Sequence, residues 1–597
     1  MKKFLTYLLV LAMLAACLVS CAGKESSIEP KERGASPTLT YLYNTSSGHK
    51  AIAEYIQAAF STVGINMTLE NQEWATFLET RKAGNYTVAR NGWIADYSDP
   101  ICFLDMWTSG SGNNDVQFGK GAHADLKMYS VDLTKYGGEK VTDGTWAETY
   151  DVLIGMIKAE TDATKRYEMM HIAEDMLMDT GCITPLYFYT DLYMLDDEVK
   201  GFYSNPLGYK YFSKTTFGGK DSISVCLASE PQTLDPALNS AVDGATMLAH
   251  LFSGLAKWDQ DANGNLVVVA DAAESLPEGV VNADGTVTYT YKLKSGMKWS
   301  DGQPVTAGDF EYAWKRAAST ALAADYGYMF EVVKGYGGAD VDGLAPLEVT
   351  ATDDTTLTVT LSNAVAYWNE LLAFPTYFPV RKDVVADEKW ATDPSTYVSN
   401  GPYTMTGWEH KSVITLTKND SYYDAASVTM KEVKCYLSDD ANNMLTNFKN
   451  GTWQLIDDVP TNEIAALKKD YPTEFVVAGQ IGTYYVCWNI NFELLPANSG
   501  LSGVEAEKAR QEIRKAMALL LDRNYICEEI AQGGQVPASS FVAMGMHNPD
   551  GSEFYKTAGN SSAYTGYYDV SAEAFEDNCN TARKTLEKYY DNIKVEG

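Results

Sequence analysis

Hydrophobic and polar positions alternate from Leu39 to Tyr43, as in a half-buried strand. From His49 the apolar residues Ile52, Tyr55, Ile56, Ala59, Phe60 and Val63 recur at helical spacing, and Ile65, Met67 and Leu69 then alternate as a second strand. Trp74, Phe77, Leu78 and Arg81 mark one face of a short helix before a strand-like run from Tyr86 to Arg90. This β-α-β-α-β series predicts an α/β lobe. Further helices are predicted over Ala163 to Met178, Glu505 to Leu521 and Ala572 to Tyr589. Between Ser222 and Ile481 the texture shifts to short strands punctuated by Asn263-Gly264, Asp284-Gly285 and Asp301-Gly302, so the middle reads as mixed α+β. The chain shows no internal repeat of solenoid length.

The first residues carry a different pattern. Lys2 and Lys3 precede an apolar run from Phe4 to Ala16, and Leu18-Val19-Ser20-Cys21 follows where cleavage is expected. The segment 1–21 resembles a bacterial lipoprotein signal, which makes Cys21 the lipidated N-terminus. An ordinary secretory signal, or a single membrane helix with Cys21 incidental, remains open, although the apolar core is short for a span. Residues 22–35 are polar and charged and predict a flexible tether. No other stretch is apolar enough to span a bilayer.

Composition narrows the chemistry. Forty-seven Lys and Arg against 79 Asp and Glu give a net charge of −32, which argues against nucleic acid or an anionic lipid surface as partner. Nine cysteines include Cys17 and Cys21; the remaining seven are scattered without CxxC spacing and predict neither a disulfide framework nor a zinc site. Six histidines without clustering give no metal motif. The chain has no P-loop, no GxSxG elbow and no dinucleotide fingerprint, so nothing calls for an enzyme or a cofactor.

Three segments, SEPQTLDP (Ser229 to Pro236), GMKWSDGQPVTAGDFEYAWKRA (Gly296 to Ala317) and YVSNGPYTMTGWEHKSVITLTKNDSYYD (Tyr397 to Asp424), resemble the N-terminal two thirds of an extracytoplasmic oligopeptide-binding protein of an ABC importer, a family 5 solute-binding protein. YNTSSGHK (Tyr43 to Lys50), NQEWATFLETRKAGNYTVARNGWIADYSDP (Asn71 to Pro100) and VKGFYSNPLGYKYF (Val199 to Phe212) resemble its C-terminal third. Together they reach across nearly the whole mature chain, but in inverted order. The resemblance therefore implies a circularly permuted chain in which Gly218-Gly219-Lys220 joins the old ends and a new break falls between Gly597 and Ser36.

The implied fold is α/β (mixed α+β), a two-lobed periplasmic-binding-protein-like architecture with an extra subdomain. One lobe is expected from 190–252 and 376–488, with the subdomain 253–375 packed on it. The second lobe is expected from 36–189 and 489–597, with crossings near Tyr189 and Trp488 acting as the hinge of a closure that traps ligand. The implied partners are short peptides and an ABC permease, with membrane contact through the lipid anchor only, and the family's usual form is a monomer.

Site residues carry over position by position. Asp96 matches the aspartate that pairs with the peptide α-amino group; read from the residues alone it is first a turn or cap aspartate. Arg90 and His49 match positions that meet the terminal carboxylate, for which a guanidinium fork is well shaped, and Arg81 matches a further basic position. His49 reads equally as a helix-start residue and Arg81 as a solvated helix face. Trp74 and Trp93 are implied walls of side-chain pockets, with core packing the alternative for Trp74 beside Phe77. Tyr189 and Tyr326 are weaker carry-overs. Ser240, Ala241 and Val242 fall where the family binds peptide main chain by strand addition, although the family's own residues there differ from Ser-Ala. Rival readings are a cell-wall peptide or other solute in the same fold, or a surface receptor or chaperone uncoupled from transport.

Overall fold

Eleven strands build the main sheet: β1 (Leu39–Asn44), β2 (Met67–Gln72), β3 (Val88–Ile94), β4 (Ile183–Leu195), β5 (Ser222–Cys226), β6 (Tyr403–Glu409), β7 (Val413–Lys418), β8 (Glu432–Tyr436), β9 (Leu455–Ile456), β10 (Phe475–Trp488) and β11 (Val536–Pro537). The helices discussed below are α1 (Ser47–Thr62), α2 (Trp74–Lys82), α3 (Val152–Ala159), α4 (Ala163–Asp179), α5 (Val242–Leu251), α6 (Ala307–Ala317), α7 (Ala441–Lys449), α8 (Ile464–Asp470), α9 (Gly503–Leu519) and α10 (Phe575–Leu586). The computed structural model describes residues 28–227, 230–387, 389–559 and 561–594. Cys21 and the signal segment lie outside the described residues, as does the start of the tether.

Strand order is β6-β7-β8-β5-β9-β4-β10-β3-β1-β2, and β11 pairs with β4 at Tyr187 and Phe188. At one end β1 runs parallel to both β2 and β3; at the other β5 runs parallel to β8 and β9. The long antiparallel strands β4 and β10 join these two α/β ends. Their register slips between Gly479 opposite Thr190 and Thr483 opposite Phe188, and β10 then pairs with β3 from Gly482 to Trp488. The extra residues Gln480 to Gly482 face Tyr189, and a bulge of this kind bends and twists a pair locally. Trp488 sits at the far end of β10, opposite Val88.

The sequence pattern explains these elements. Ser46 caps α1 by accepting the His49 N–H, and Ile52, Ala53, Ile56 and Phe60 form the buried face. The second strand starts at Met67, later than the alternation suggested, because Leu39 to Asn44 pair in register with Met67 to Gln72. The third begins at Val88 and continues past Arg90 to Ile94, because β10 supplies a partner that the local sequence does not show. The last helix is shorter than predicted, Phe575–Leu586. At the β5–β9 end, Met444, Leu445 and Phe448 of α7 and Ile464 and Leu467 of α8 pack on Met194, Ile456 and Phe475 as a separate core. Each large apolar side chain fully buried there contributes roughly 1.5 to 3 kcal/mol.

Residues 253–375 carry a four-stranded antiparallel sheet ordered Val280–Val281, Val287–Lys292, Thr356–Leu361 and Val349–Asp353, with α6 against it. Thr306 and Asp309 form a capping box on α6. At its other end Arg316 grips Asp235 with both guanidinium nitrogens (3.2 and 2.7 Å), tying this unit to the segment that precedes α5.

The two ends of the described chain meet. Asp591 donates its N–H to the Gly34 carbonyl (3.0 Å), Ser36 donates to Asn592 (2.8 Å) and Lys594 donates to Val63 (3.1 Å). Gly218 (φ 51°) and Gly219 (φ 75°) form a two-residue turn closed by the Lys220 N–H to Phe217 (2.8 Å). Two successive left-handed residues are the condition for this tight reversal, and glycine meets it without steric cost. The seven described cysteines form no disulfide among the described residues, and six of them are buried. Among the described residues no helix is long and apolar enough to cross a membrane.

Candidate functional site

A cavity of about 450 Å³ lies where β3, β4 and the bend of β10 face the loop before α5 and residues Tyr326 and Phe374 of the 253–375 unit. Asp96, Arg90, His49, Arg81, Trp74, Trp93, Tyr189, Tyr326, Ser240, Ala241 and Val242 all line it. They come from segments far apart in sequence, and their meeting is set by the sheet order.

Asp96 sits two residues beyond β3, where the Ala95 N–H donates to Ile481 (2.8 Å) and ends the pairing with β10. The Tyr326 hydroxyl donates to Asp96 Oδ1 (3.0 Å) across the cavity, and Cys102 Sγ approaches the Asp96 N–H (3.1 Å). Burial raises the Asp96 pKa well above the ordinary carboxylate value; the Tyr326 hydrogen bond opposes this and the charge of Asp105 adds to it. No cation pairs with Asp96 among the described residues.

Arg90 lies on β3. Its guanidinium donates to the Tyr189 hydroxyl (3.4 Å) and stacks over the Tyr484 ring (5.2 Å from the centroid), and its Nε is buried without a partner. It has no carboxylate partner among the described residues, although a guanidinium is always ionised. His49 packs on the same Tyr484 ring and its Nδ1 meets the Tyr484 hydroxyl (3.3 Å). Burial, with Arg90 beside it, lowers the His49 pKa well below its usual value, so the ring stays neutral. Tyr189 reaches over Gly92, where a Cβ would stand 2.2 Å from its hydroxyl; only glycine permits that approach.

The other basic groups are already matched. Arg81 contacts Asp115 (2.8 Å) and lies over Phe77, so its charge is satisfied within the protein. Lys82 pairs with Asp325 and donates to Ser240 Oγ (3.0 Å), a link from α2 across the cavity. Lys210 holds Asp191 (3.0 Å) and Asp457 (2.7 Å).

Trp74 stacks on Phe77 and is only partly buried, so it serves both the core and the cavity wall. Trp93 fixes its indole by donating to the Cys102 carbonyl (3.0 Å) and presents its ring toward Tyr326. The segment expected to bind main chain as a strand is not one throughout. Ala241 is extended (φ −132°, ψ 147°) but Val242 opens α5, and the Ala241 carbonyl already accepts from Ala245 and Asn239. The helix start takes the acceptor that a bound strand would use. Sequence reasoning missed Tyr484, which organises both Arg90 and His49, and the carboxylates Asp243, Asp439 and Asp458 on the cavity wall. Tyr484 sits in an apolar strand run with no local signal of its role.

The chain matches the family model described as bacterial extracellular solute-binding proteins, family 5 Middle, over residues 16–115 and 267–590. It is 32% identical over 380 residues to the oligopeptide-binding protein OppA of Bacillus subtilis, a match covering 62% of each chain. It is 30% identical over 355 residues to the dipeptide-binding protein DppE of the same organism, covering 58% of this chain and 60% of that one. The matched region thus spans less than two thirds of either relative. Among solved structures, Listeria monocytogenes OppA bound to peptide aligns with a TM-score of 0.50 at 26% identity, covering 62% of this chain and 69% of that chain. Haemophilus influenzae OppA in complex with RPPGFSPFR aligns with a TM-score of 0.50 at 25% identity, covering 62% and 67%.

Proposed function

Since the chain belongs to the bacterial extracellular solute-binding proteins of family 5, we propose that it captures short peptides between its two lobes and delivers them to an ABC permease. One observation carries this reading: Asp96, an acidic group, and Arg90, a permanent cation, line the same cavity, and neither has a counter-ion among the described residues. A carboxylate held in a site that opposes its ionisation is stabilised by an incoming ammonium, and a guanidinium by an incoming carboxylate. A zwitterionic peptide supplies both at once, its α-amino group to Asp96 and its terminal carboxylate to Arg90, with neutral His49 as a further donor. Trp74, Trp93 and Tyr189 give flat walls that accept varied side chains.

Closure would occur at the bend of β4 and β10, and the Lys82–Asp325 and Asp96–Tyr326 contacts already bridge the two sides of the cavity. Cys21 would carry the lipid, leaving a monomeric body outside the membrane on its tether. The segment order is a circular permutation in this reading. The contacts between Gly34–Ser36 and Tyr589–Asn592 and the tight Gly218-Gly219 turn support it, since both joints are short.

Native mass spectrometry of the protein expressed from Ala22 onward tests the reading. Short peptides released on denaturation, or taken up when added, are expected. A protein that is empty and ignores added peptides would overturn it.

A further inference from the structure

The charges lining the cavity do not balance. Arg81 is matched by Asp115, Lys82 by Asp325, and Lys210 by Asp191 and Asp457. Among the described residues four lining carboxylates, Asp96, Asp243, Asp439 and Asp458, have no cationic partner, whereas Arg90 alone is a lining cation without a carboxylate. A zwitterion bound at Asp96 and Arg90 adds no net charge and leaves Asp243, Asp439 and Asp458 unmatched.

Asp243 stands on the first turn of α5, Asp439 in the loop that precedes α7 and Asp458 in the loop that follows β9, and all three line the cavity. Asp458 accepts only its neighbour's N–H, from Val459 (2.8 Å). Asp243 has a sealed carboxylate oxygen, Oδ2, with no hydrogen-bond partner, although the group stands on the first turn of α5 beside the cavity. Burial raises both, Asp458 to about 6 and Asp243 to about 6, with no cation nearby to offset it. An unmatched carboxylate in a half-enclosed site is costly unless a positive group arrives with the ligand.

We propose that the cavity selects peptides bearing a basic side chain, with Asp458 as the residue that receives the lysine or arginine head group and Asp243 and Asp439 adding to the negative charge of the lining. This rests on the peptide reading above and adds the side-chain class to it. The aliphatic stem of such a side chain has apolar wall to lie on, in Met444, Val459 and Ile464. An acidic side chain would face uncompensated carboxylates on the lining and be disfavoured by like-charge repulsion.

Titration calorimetry with tetra-alanine, with its variants carrying one lysine at position 2, 3 or 4, and with the same set carrying glutamate tests the proposal. At least one lysine peptide is expected to bind about tenfold or more tightly than tetra-alanine, a difference of about 1.4 kcal/mol, and every glutamate peptide more weakly. Asp458→Asn is expected to abolish the lysine advantage while leaving tetra-alanine affinity within about threefold. Lysine and glutamate peptides that bind like tetra-alanine would overturn the selectivity and leave peptide capture standing. A lysine advantage that survives in both Asp458→Asn and the Asp243→Asn/Asp458→Asn double variant would overturn the assignment to this wall. Failure of every peptide to bind would overturn the peptide reading itself, and this inference with it.

Discussion

Replacing Asp96 with asparagine removes the carboxyl group that can ionise against a ligand ammonium and little else. The amide oxygen can still accept from Tyr326, which now donates to Oδ1 at 3.0 Å, and the side-chain volume is kept. What is lost is the charge-assisted bond to a ligand ammonium, on the order of 1.5 to 3 kcal/mol. The ammonium would also be left without a counter-charge in a half-enclosed site, which brings the expected loss to about 2 to 5 kcal/mol. Affinity for a free-amine peptide should therefore fall by more than about tenfold, the equivalent of 1.4 kcal/mol. The unliganded protein should behave in the opposite way. A carboxyl whose folded pKa is raised above its unfolded value costs stability once pH exceeds the unfolded value, so at pH 7 the asparagine variant should melt no lower than wild type. Titration calorimetry of both proteins with trialanine and N-acetyl-trialanine closes a double-mutant cycle. Wild type should discriminate strongly between the two peptides and the variant hardly at all. If the variant binds trialanine within about threefold of wild type, or discriminates as wild type does, Asp96 does not meet the α-amino group.

Lys158 on α3 reaches Glu331 of the 253–375 unit (2.5 Å) and buried Asp105 (3.1 Å), so Lys158→Met should leave Asp105 unmatched, destabilise the protein by about 3 to 5 kcal/mol, and weaken ligand closure although it touches no ligand; unchanged melting and affinity would contradict this. Glu174 on α4 is fully buried, accepts the Phe541 and Val542 N–H groups (2.9 and 2.8 Å), and is pushed by burial to about 7. Its folded pKa lies above the unfolded value, so it makes stability fall as pH rises from about 4.5 to 7, and Glu174→Gln should flatten that decline by on the order of 1 to 3 kcal/mol, read from urea unfolding at pH 5 and pH 8. Fragments 36–217 and 221–597 expressed separately should not melt cooperatively, because β4 in the first finds its partners β9, β10 and β11 only in the second; a cooperative transition in either alone would refute this.

Much of the β1–β3 end was legible because its elements are local. Strand alternation at Leu39, the apolar face from Ile52 to Phe60 and the Trp74 helix each show within a few residues, and the turns at Asn263-Gly264 and Asp284-Gly285 fall between paired strands. The site was legible only through resemblance. Asp96, Arg90 and His49 carry no local motif, and Arg81, which reads like its neighbour Arg90, differs from it because Asp115 lies within reach. The Ser240 to Val242 segment lines the cavity as the resemblance implied, and only the structure shows that α5 begins within it and takes up the Ala241 carbonyl.

The sequence by itself determined the local elements, the net acidity, the lack of catalytic or metal motifs and, through several long segments, the family. Those depend on side-chain periodicity and on residue identity, which neighbours along the chain reveal. Only the tertiary structure decided which charges remain unmatched. Pairing depends on groups brought within a few ångströms by a sheet that interleaves both parts of the chain, so among the described residues Arg81 is neutralised and Arg90 is not, and Asp457 is held by Lys210 while Asp458 beside it has no cation.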